Sequence, residues 1–499
     1  MLGQAKGSKR PIRSVDIVAG VITKAAQIRS QLDHPVIDAD GHFVELAPVL
    51  DDELLASLEA EGGSGLRDRY VASRATPFDT STVLAQRSDA NQAEWKAMPS
   101  WWGWQTRNTR DRATSHLPRL LYERLDEMGI DFSILYPSTT LGLIDIDDPE
   151  LAAPVARAVN TWLAGLFRPY SDRLTVGAII PMVTPDVAVA ELRHAVRALG
   201  FKTVVISGYA TRYLGDASAA PRAYRLDHFG IDSTYDYDPV WEACVELGVA
   251  PVSHSAHQHH RVSRSPSSYV YNHIGGLATS HESLAKSLFL GGVTRRFPTL
   301  RVGFLEGGVA WAASLFADLV GHWEKRNGQT INDLDPDRLD VDALMGFMRE
   351  YGDKSVLDRL DRIRDHFARP AGRPEEINEF ARTGIVSREE FVDLFVPRFY
   401  FGCEADDPLV AWSFAEKVNP LGARFRPIFG SDISHWDVPD MTEPVEEAHE
   451  LVERGVLGKE EFRELMFLNP VRLHTGTNPH FFDGTVVAAA ARDAMERDL

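Results

Sequence analysis

The sequence predicts an α/β fold, a (β/α)8 TIM barrel with helical and loop insertions, and three observations support this. Eight short apolar runs, each bounded by turn residues, are spaced along the chain. Amphipathic segments lie between several of the runs, as expected for helices that connect parallel strands. Ionisable residues follow most of the runs directly, and barrel active sites lie at the C-terminal ends of the strands.

The eight apolar runs are the candidate barrel strands. They lie within residues 34–42, 129–138, 173–182, 201–208, 249–257, 300–308, 398–407 and 425–432. The alternative is an open doubly wound sheet. Its first turn would need a glycine-rich phosphate loop, whereas the first turn here reads Asp38-Ala39-Asp40-Gly41-His42. The barrel is therefore the favoured fold.

Two of the connecting segments carry clear helix signals. Apolar residues between Val155 and Phe167 recur on one helical face. Thr184 and Pro185 provide an N-cap followed by a proline at the first helical position. Gly200 is placed to end that helix in the left-handed conformation. Both segments are predicted to cross from one parallel strand to the next.

The length of 499 residues exceeds the ~250 that a barrel typically needs. We therefore expect an N-terminal arm (1–33), a barrel (34–475) and a C-terminal tail (476–499). The excess length is assigned to three insertions within the barrel. These are 46–125, with the aromatic group at 101–104, 209–236, and the helical 324–397, where Leu357, Leu360 and Ile363 have helical spacing.

Charge and composition exclude several classes of protein. Lys and Arg total 53 against 72 Asp and Glu, which gives a net charge of −19 and disfavours nucleic-acid binding. Two cysteines cannot form a disulfide framework or a cysteine-rich zinc module. No apolar run is long enough to span a membrane, and the basic residues 1–14 lack the apolar region of a secretory signal. We expect a cytoplasmic protein whose first residues form a disordered or partner-covering arm.

Histidines and carboxylates follow several of the candidate strands. Asp40 and His42 end the first, His254 the fifth, Glu306 the sixth and Asp432 the eighth. Because residues i and i+2 of a strand point to the same side, Asp40 and His42 can both face the barrel axis. Neutral imidazoles and carboxylates that converge in this way are the ligands of a divalent metal ion.

The same residues resemble those of a known family. IDADGH at 37–42 resembles the first-strand element of the amidohydrolase superfamily, GVAPVSH at 248–254 its fifth strand, and FGSD at 429–432 its eighth. RFPTLRVGFLEGGVAW at 296–311 and NPVRL at 469–473 look like the amidohydrolase-related branch. That branch contains aminocarboxymuconate semialdehyde decarboxylase and the aromatic-acid decarboxylases. The resemblance covers about residues 34–322 and 398–475.

The resemblance implies a single metal ion held by Asp40, His42, His254 and Asp432. Asp40 stands where the family usually has histidine, so the site has two oxygen and two nitrogen ligands. Such a set suits Zn²⁺, our first expectation, and raises the odds of Mn²⁺. Many members also carry a catalytic histidine after the sixth strand, where this chain has Glu306.

Several roles stay open at the level of sequence. Either Glu306 or His281, within NHIGGLATSH at 272–281, could replace the missing sixth-strand histidine as the catalytic acid or base, alongside Asp432. We expect substrate contacts from His257 and His435 and from Arg261. Trp104 belongs to the aromatic group that we expect to form a lid.

The resulting functional hypothesis is a metal-dependent non-oxidative decarboxylase of a small aromatic or unsaturated carboxylic acid. The alternative is a hydrolase of an amide, ester or lactone, in which a metal-activated water attacks and Asp432 is the base. A third possibility is a degenerate barrel that acts as a scaffold or binder. The expected partners are a small-molecule substrate and further copies of the chain in a homo-oligomer, with no nucleic acid and no membrane.

Overall fold

The structure is a computed structural model that describes residues 22–73, 97–98, 107–215, 223–254, 265–369, 372 and 374–497. Its strands are β1 (Ile37–Phe43), β2 (Phe132–Pro137), β3 (Leu174–Val176), β4 (Ala178–Ile179), β5 (Val204–Ile206), β6 (Ala210–Tyr213), β7 (Tyr224–Asp227), β8 (Pro251–Ser253), β9 (Val302–Phe304), β10 (Phe399–Glu404) and β11 (Pro427–Gly430).

The α-helices surround these strands. They are α1 (Lys24–Gln31), α2 (Ala47–Ser73), α3 (Thr109–His116), α4 (Pro118–Met128), α5 (Pro149–Phe167), α6 (Pro185–Arg193), α7 (Asp238–Leu247), α8 (Tyr269–His273), α9 (Gly276–Leu290), α10 (Val293–Arg296), α11 (Ala310–Arg326), α12 (Val341–Tyr351), α13 (Lys354–Leu357), α14 (Leu360–Phe367), α15 (Glu390–Phe395), α16 (Pro444–Glu453), α17 (Lys459–Arg463), α18 (Asn469–Thr475) and α19 (Ala488–Arg497).

The predicted barrel is confirmed. Parallel ladders run in the orders β1-β2-β3 and β4-β5-β8-β9-β10-β11. Backbone hydrogen bonds close the ring between its first and last strands, from the amide of His42 to the carbonyl of Ile433 (3.1 Å) and from Asp432 to Asp40 (2.9 Å). All eight predicted runs contain barrel strand, so their carboxyl ends open on one face.

The third predicted strand is interrupted. Residues 174–179 form β3, which pairs with β2, and β4, which pairs with β5. Gly177 separates the two, and a side chain there would lie only 2.8 Å from the ring of Tyr136. The close approach of β2 therefore requires glycine at the point where the chain passes from one neighbour to the next.

The helix signals read from the sequence are confirmed. α5 covers the stretch from Val155 to Phe167, and the hydroxyl of Thr184 accepts from the amide of Val187 (3.4 Å) at the start of α6. α6 ends at Arg193 and a π-helical turn, 194–198, continues it to the left-handed Gly200 (φ +82°). The π-helical turn inserts the extra residue that the simple helix pattern did not predict.

Additional strands and helices lie within two of the three ranges predicted to be insertions. A two-stranded hairpin, β6 with β7, lies within 209–236, and α12, α13 and α14 lie within 324–397. The helix predicted through Leu357, Leu360 and Ile363 is broken, because α13 ends at Leu357 and α14 begins at Leu360. The basic residues 1–14 and the aromatic group at 101–104 lie outside the described residues.

A continuous apolar core fills the space between strands and helices. Its largest members include Trp241 from α7 and the phenylalanines of β9, β10 and α15. Cys244 and Cys403 are free thiols buried in this core, consistent with the absence of a disulfide framework. Within the described part of the chain, no helix combines the length and apolar character needed to cross a membrane.

Candidate metal centre

The first strand brings two predicted ligands to the open end of the barrel. Asp40 and His42 lie on β1, and Oδ1 of Asp40 is 3.6 Å from Nε2 of His42. Both side chains are almost fully buried, with 3% and 0% of their surface exposed. The two residues therefore present one oxygen and one nitrogen to the same point, as their i, i+2 spacing predicts.

Asp38, on the same strand, has a different role. Its carboxylate accepts hydrogen bonds from the hydroxyls of Ser133 on β2 (2.6 Å) and Ser431 after β11 (2.8 Å). It also accepts from the amides of Ser431 (3.0 Å) and Asp40 (3.2 Å). Because its oxygens are occupied by these donors, Asp38 holds β1 between its two neighbours and leaves Asp40 to face the site.

The fifth and eighth strands add His254 and Asp432. Nε2 of His254 lies 3.2 Å from Nε2 of His42 and 3.8 Å from Oδ1 of Asp40. Oδ1 of Asp432 lies 3.1 Å from Nε2 of His42. Strands that are far apart in sequence thus bring all four predicted ligands together around His42.

The backbone at two site carboxylates is strained. Asp432 has φ +46° and Glu306 has φ +57°, a left-handed conformation that non-glycine residues rarely adopt. Gly430 precedes Asp432 by two residues, and a side chain there would lie 2.9 Å from Cβ of Asp40. Backbone strain of this kind is typical of functional sites, where neighbouring structure holds a side chain in place.

Burial sets the protonation of these groups. Desolvation, followed by the nearby charge of Glu306, raises the pKa of Asp40 well above its usual value. Desolvation, with Asp437 next in importance, does the same to the pKa of Asp432. Desolvation lowers the pKa of His42 well below its usual value and that of His254 to about 4, so both imidazoles are neutral near pH 7.

These residues fit a divalent cation. Oδ1 of Asp40 and both carboxylate oxygens of Asp432 are buried, and none accepts a well-aligned hydrogen bond from a described residue. Buried carboxylates without donors are costly, and a bound cation would offset that cost. Neutral imidazoles beside them complete the mixed oxygen and nitrogen donor set that Zn²⁺ and Mn²⁺ accept.

His435, predicted to contact the substrate, lies against the metal ligands. Its ring stacks on that of His42 with centroids 3.5 Å apart, and its Nδ1 is 2.7 Å from Oδ1 of Asp432. The hydroxyl of Ser138, which follows β2, lies 3.0 Å from its Nε2. Four atoms, one each from His42, Glu306, Asp432 and His435, lie within 4.8 Å of one another. His435 could therefore position Asp432 or join a ligand set.

Glu306 and His281, the two alternatives for the sixth-strand histidine, occupy different environments. Oε2 of Glu306 is 3.4 Å from Nε2 of His254, and its Oε1 is 3.4 Å from Nε2 of His273. Nε2 of His281 instead donates to the carbonyl of Leu305 (2.7 Å). Glu306 thus borders the predicted ligands, whereas His281 is directed toward the backbone of the sixth-strand turn.

A second set of polar residues lies next to Glu306. Single carboxylate oxygens of Glu306, Glu404 and Asp437 lie within 4.8 Å of one another. Burial, followed by the charge of Glu306, raises the pKa of Glu404 to about 8. Although burial opposes it, the hydrogen bond and charge of Glu306 raise the pKa of His273. The edge of the site can therefore hold protons near neutral pH.

Sequence reasoning missed Ser138, His273 and Asp437. His273 lies in the same NHIGGLATSH motif as His281, and Asp437 follows His435 by two residues, so position in these loops was the available signal. Ser138 follows a strand without any charged residue and gives no such signal. Of the predicted substrate contacts, His257, Arg261 and Trp104 lie outside the described residues.

The chain is similar to several known proteins. It is 30% identical over 125 residues to gamma-resorcylate decarboxylase of Rhodococcus jostii (strain RHA1), a match to 25% of this chain and only 35% of that protein. An amidohydrolase structure from Mycobacterium avium subsp. paratuberculosis K-10 is similar in fold, with a TM-score of 0.51 and 16% identity. That similarity spans 89% of this chain and 99% of the other.

A dihydroxybenzoic acid decarboxylase from Polaromonas sp. JS666, solved with manganese and 2-nitroresorcinol, has a TM-score of 0.44 and 14% identity. It covers 89% of this chain and 97% of that structure. The amidohydrolase family model matches residues 37–330, which is more than half of the chain and includes β1, β8 and β9. With its barrel and its converging histidines and aspartates, the chain belongs to the amidohydrolase family.

Proposed function

We propose that this protein is a metal-dependent non-oxidative decarboxylase, a carbon–carbon lyase that acts on a small aromatic or unsaturated carboxylic acid. The observation that carries the proposal is the convergence of Asp40, His42, His254 and Asp432 at one end of the barrel. The 30% identity to gamma-resorcylate decarboxylase supports the reaction type, over the quarter of the chain that it covers.

Asp40, His42, His254 and Asp432 would hold one divalent ion, Zn²⁺ by first expectation and Mn²⁺ as the alternative. When bound, such an ion supplies positive charge that binds the substrate's carboxylate and stabilises negative charge as the carbon–carbon bond breaks. The surrounding side chains exclude water, since at most 6% of the surface of each of these four is exposed. A dry site strengthens every charge interaction within it.

Decarboxylation replaces a carbon–carboxylate bond with a carbon–hydrogen bond. CO₂ leaves, the bonding electron pair stays on the ring or alkene carbon, and that carbon takes up one proton. Glu306 and His273 form a pair (3.4 Å) at the edge of the site, and we propose that this pair delivers the proton and recovers it from solvent. Its position beside His254 favours Glu306 over His281 for this role.

Asp432 would be oriented for the reaction by the residues around it. The hydrogen bond from its amide to the carbonyl of Asp40 and the stacked rings of His42 and His435 restrict its movement. The ring of His435 is held in turn by Ser138. These contacts would limit the reorganisation of the carboxylate during the reaction.

Hydrolysis of an amide, ester or lactone is the second candidate, with Asp432 as the base. The observation that favours it is the glutamate at position 306, where many members of the family carry a catalytic histidine. Oδ1 of Asp432 already faces Nδ1 of His435 (2.7 Å), whereas Oδ2 accepts no well-aligned hydrogen bond from a described residue, so Oδ2 could accept a proton from water.

The test is CO₂ release from a panel of hydroxybenzoates and unsaturated acids, with enzyme that contains one equivalent of metal by mass spectrometry. We expect CO₂ and decarboxylated product in equal amounts. Absence of CO₂ across the panel, with turnover of esters or lactones, would replace this proposal with hydrolysis. Less than about half an equivalent of metal after purification without chelator would favour a non-enzymatic scaffold.

A further inference from the structure

Three arginines lie side by side at the N-terminal ends of the last three barrel strands. Arg301 directly precedes β9, Arg398 precedes β10 and Arg426 precedes β11. These strands are parallel neighbours. The amide of Val302 donates to the carbonyl of Arg398 (2.8 Å), and that of Phe401 to the carbonyl of Arg426 (3.0 Å). The three side chains therefore start from adjacent positions at the closed end of the barrel.

None of these arginines forms an ion pair with a described acid, although the charge of Asp393 acts on Arg398 from beyond ion-pair distance. No Asp or Glu in the described ranges has a carboxylate oxygen within 4.0 Å of any of the three guanidinium groups. Arg426 instead donates to the hydroxyl of Tyr400 (2.6 Å), and Arg301 hydrogen-bonds to the same hydroxyl. Nε of Arg398 is buried and finds no hydrogen-bond partner among the described residues. One neutral phenol thus lies between two cations, which leaves their charge uncompensated.

Burial and the repulsion of neighbouring cations lower the pKa of two of these arginines. Burial, followed by the repulsion of Arg301, lowers the pKa of Arg398 to about 10. Burial also lowers the pKa of Arg301, and the charge of Arg426 adds to the effect. Arginine side chains otherwise stay protonated far above this range. Arg301 and Arg398 are therefore close enough to other cations for their charged forms to be destabilised, in a chain whose net charge is −19.

Two of these arginines, Arg301 and Arg426, line a cavity of about 710 Å³. Of the described residues, the other charged ones that line it are Arg424, Arg472 and one acid, Glu464. The carboxylate of Glu464 is already engaged, since its two oxygens lie 2.8 Å from Arg424 and 3.6 Å from Arg472. The other two lining arginines donate only to uncharged groups among the described residues: Arg301 to the carbonyls of Pro298 (3.4 Å) and Leu300 (3.3 Å), and Arg426 to the hydroxyl of Tyr400. Their positive charge is therefore not paired with a described carboxylate.

We propose that this cavity binds a phosphate group, either free phosphate or the phosphate of a monoester. Guanidinium groups match phosphate oxygens in paired hydrogen bonds. A phosphate dianion offers more charge and more acceptor atoms than one carboxylate, which suits two neighbouring guanidinium groups. The volume and the apolar wall formed by Val392, Val396 and Phe425 leave room for the organic part of a monoester.

This site is separate from the metal centre. β10 carries Arg398 before its first residue and Glu404 at its last. Six residues of strand span roughly 20 Å, so the two sites lie at opposite ends of the barrel. The inference therefore stands independently of the proposed decarboxylation.

Isothermal titration of the full-length, metal-containing protein with inorganic phosphate and with phenyl phosphate tests the proposal, at constant ionic strength balanced with chloride. We expect saturable binding to one site, weakened at least about tenfold in Arg301→Gln and in Arg426→Gln. Equal affinity for both probes would identify free phosphate as the ligand source. Tighter binding of phenyl phosphate would identify a monoester.

Two controls locate the binding. Arg193→Gln removes an exposed arginine that pairs with Glu246 (3.1 Å) on other helices, and it should bind phosphate like the wild type. Binding should also persist after chelator treatment, because the metal centre is not involved. Lack of binding by the wild type, or undiminished binding by both folded variants, would overturn the proposal. If either variant fails to fold, Arg426→Lys keeps the charge without the paired donors and should bind phosphate more weakly than the wild type.

Discussion

The two ends of strands β9, β10 and β11 carry opposite charge. An arginine precedes each strand at the closed end of the barrel, and an acid lies at or just after its other end. The arginines are Arg301, Arg398 and Arg426, and the acids are Glu306, Glu404 and Asp432. The three arginines are half-buried, the side chains of Glu306 and Asp432 are almost fully buried, and Glu404 is exposed.

This contrast fits two different proposed binding sites on one scaffold. Burying like charges together costs free energy, and nearby burial of opposite charge is the usual compensation. The open end adds neutral imidazoles to its acids, which suits a cation. The closed end adds a phenol and more arginines, which suits an anion. Perturbed ionisation at both ends fits the tendency of functional sites to hold such groups.

The largest expected effect comes from removing one charge at the open end. Asp432→Asn should lower kcat by about a thousandfold or more and reduce bound metal, because it removes both a ligand oxygen and a negative charge. Steady-state kinetics and metal analysis measure this, and circular dichroism checks the fold. Asp406→Asn, an exposed acid on the same face, should keep full activity. Persistent turnover by Asp432→Asn would show that our assignment is wrong.

The next largest effect is expected at Asp38, the buried carboxylate that supports β1 without facing the site. Asp38→Asn should destabilise the fold by about 3 kcal/mol, since four donors lose an ionised acceptor in a buried setting. Urea unfolding measures the change in unfolding free energy. Ser73→Ala, at the exposed end of α2, should have little effect on it. An unchanged unfolding midpoint would mean that Asp38 does not hold β1 in place.

A smaller effect on rate distinguishes Glu306 from His281. Glu306→Gln should lower kcat by about a hundredfold, as expected for loss of a proton-transfer group, with little change in stability. His281→Gln should instead reduce stability by about 1–2 kcal/mol, because its bond to the carbonyl of Leu305 is buried. Kinetics and thermal unfolding of both variants measure the difference. The reverse pattern would assign the catalytic role to His281.

The smallest effect concerns a buried histidine near the closed end. His474 on α18 stacks on Phe481, with ring centroids 4.1 Å apart, and neither ring nitrogen has a partner among the described residues. Burial lowers its pKa to about 3. In the unfolded chain, this histidine has a pKa of about 6.5. As the pH falls below that value, the unfolded chain binds a proton at His474 and the folded chain does not. Stability is therefore lost on acidification.

His474→Leu removes this proton-linked loss. We compare the unfolding free energy of the variant with that of the wild type at each pH. The difference should favour the variant by about 1 kcal/mol more at about pH 5.5 than at about pH 7.5. Urea unfolding at the two pH values provides the measurement. His480→Leu, an exposed histidine, is the matched control and should show a smaller pH-dependent change. Equal stability differences at both pH values would mean that His474 is not held neutral.

Much of the fold could be predicted from local patterns. Each buried strand appears in the sequence as an apolar run, and the pair Thr184-Pro185 indicates a helix start from local sequence alone. The break at Gly177 could not be predicted, because it depends on the approach of Tyr136 from another strand. The break between Leu357 and Leu360 was missed for a similar reason, since helical spacing alone does not show where a helix ends.

The candidate site could be predicted only in part from local sequence patterns. Asp40, His42, His254 and Asp432 could be proposed because each directly follows or ends a buried strand, and the structure brings them together. His273 and Ser138 lie on connections whose paths depend on packing. Their contacts with Glu306 and His435 join residues separated by long stretches of chain.

The sequence by itself determined the strand and helix pattern, the excess of acid and the residue types at the strand ends, because these depend on composition and local periodicity. Tertiary structure alone decided which residues meet. Closure of β1 against the end of β11 unites Asp40 with Asp432, and the order β9-β10-β11 aligns Arg301, Arg398 and Arg426. A charged side chain can bind a ligand or transfer a proton only when its burial and its neighbours are suitable, and both are properties of the folded chain.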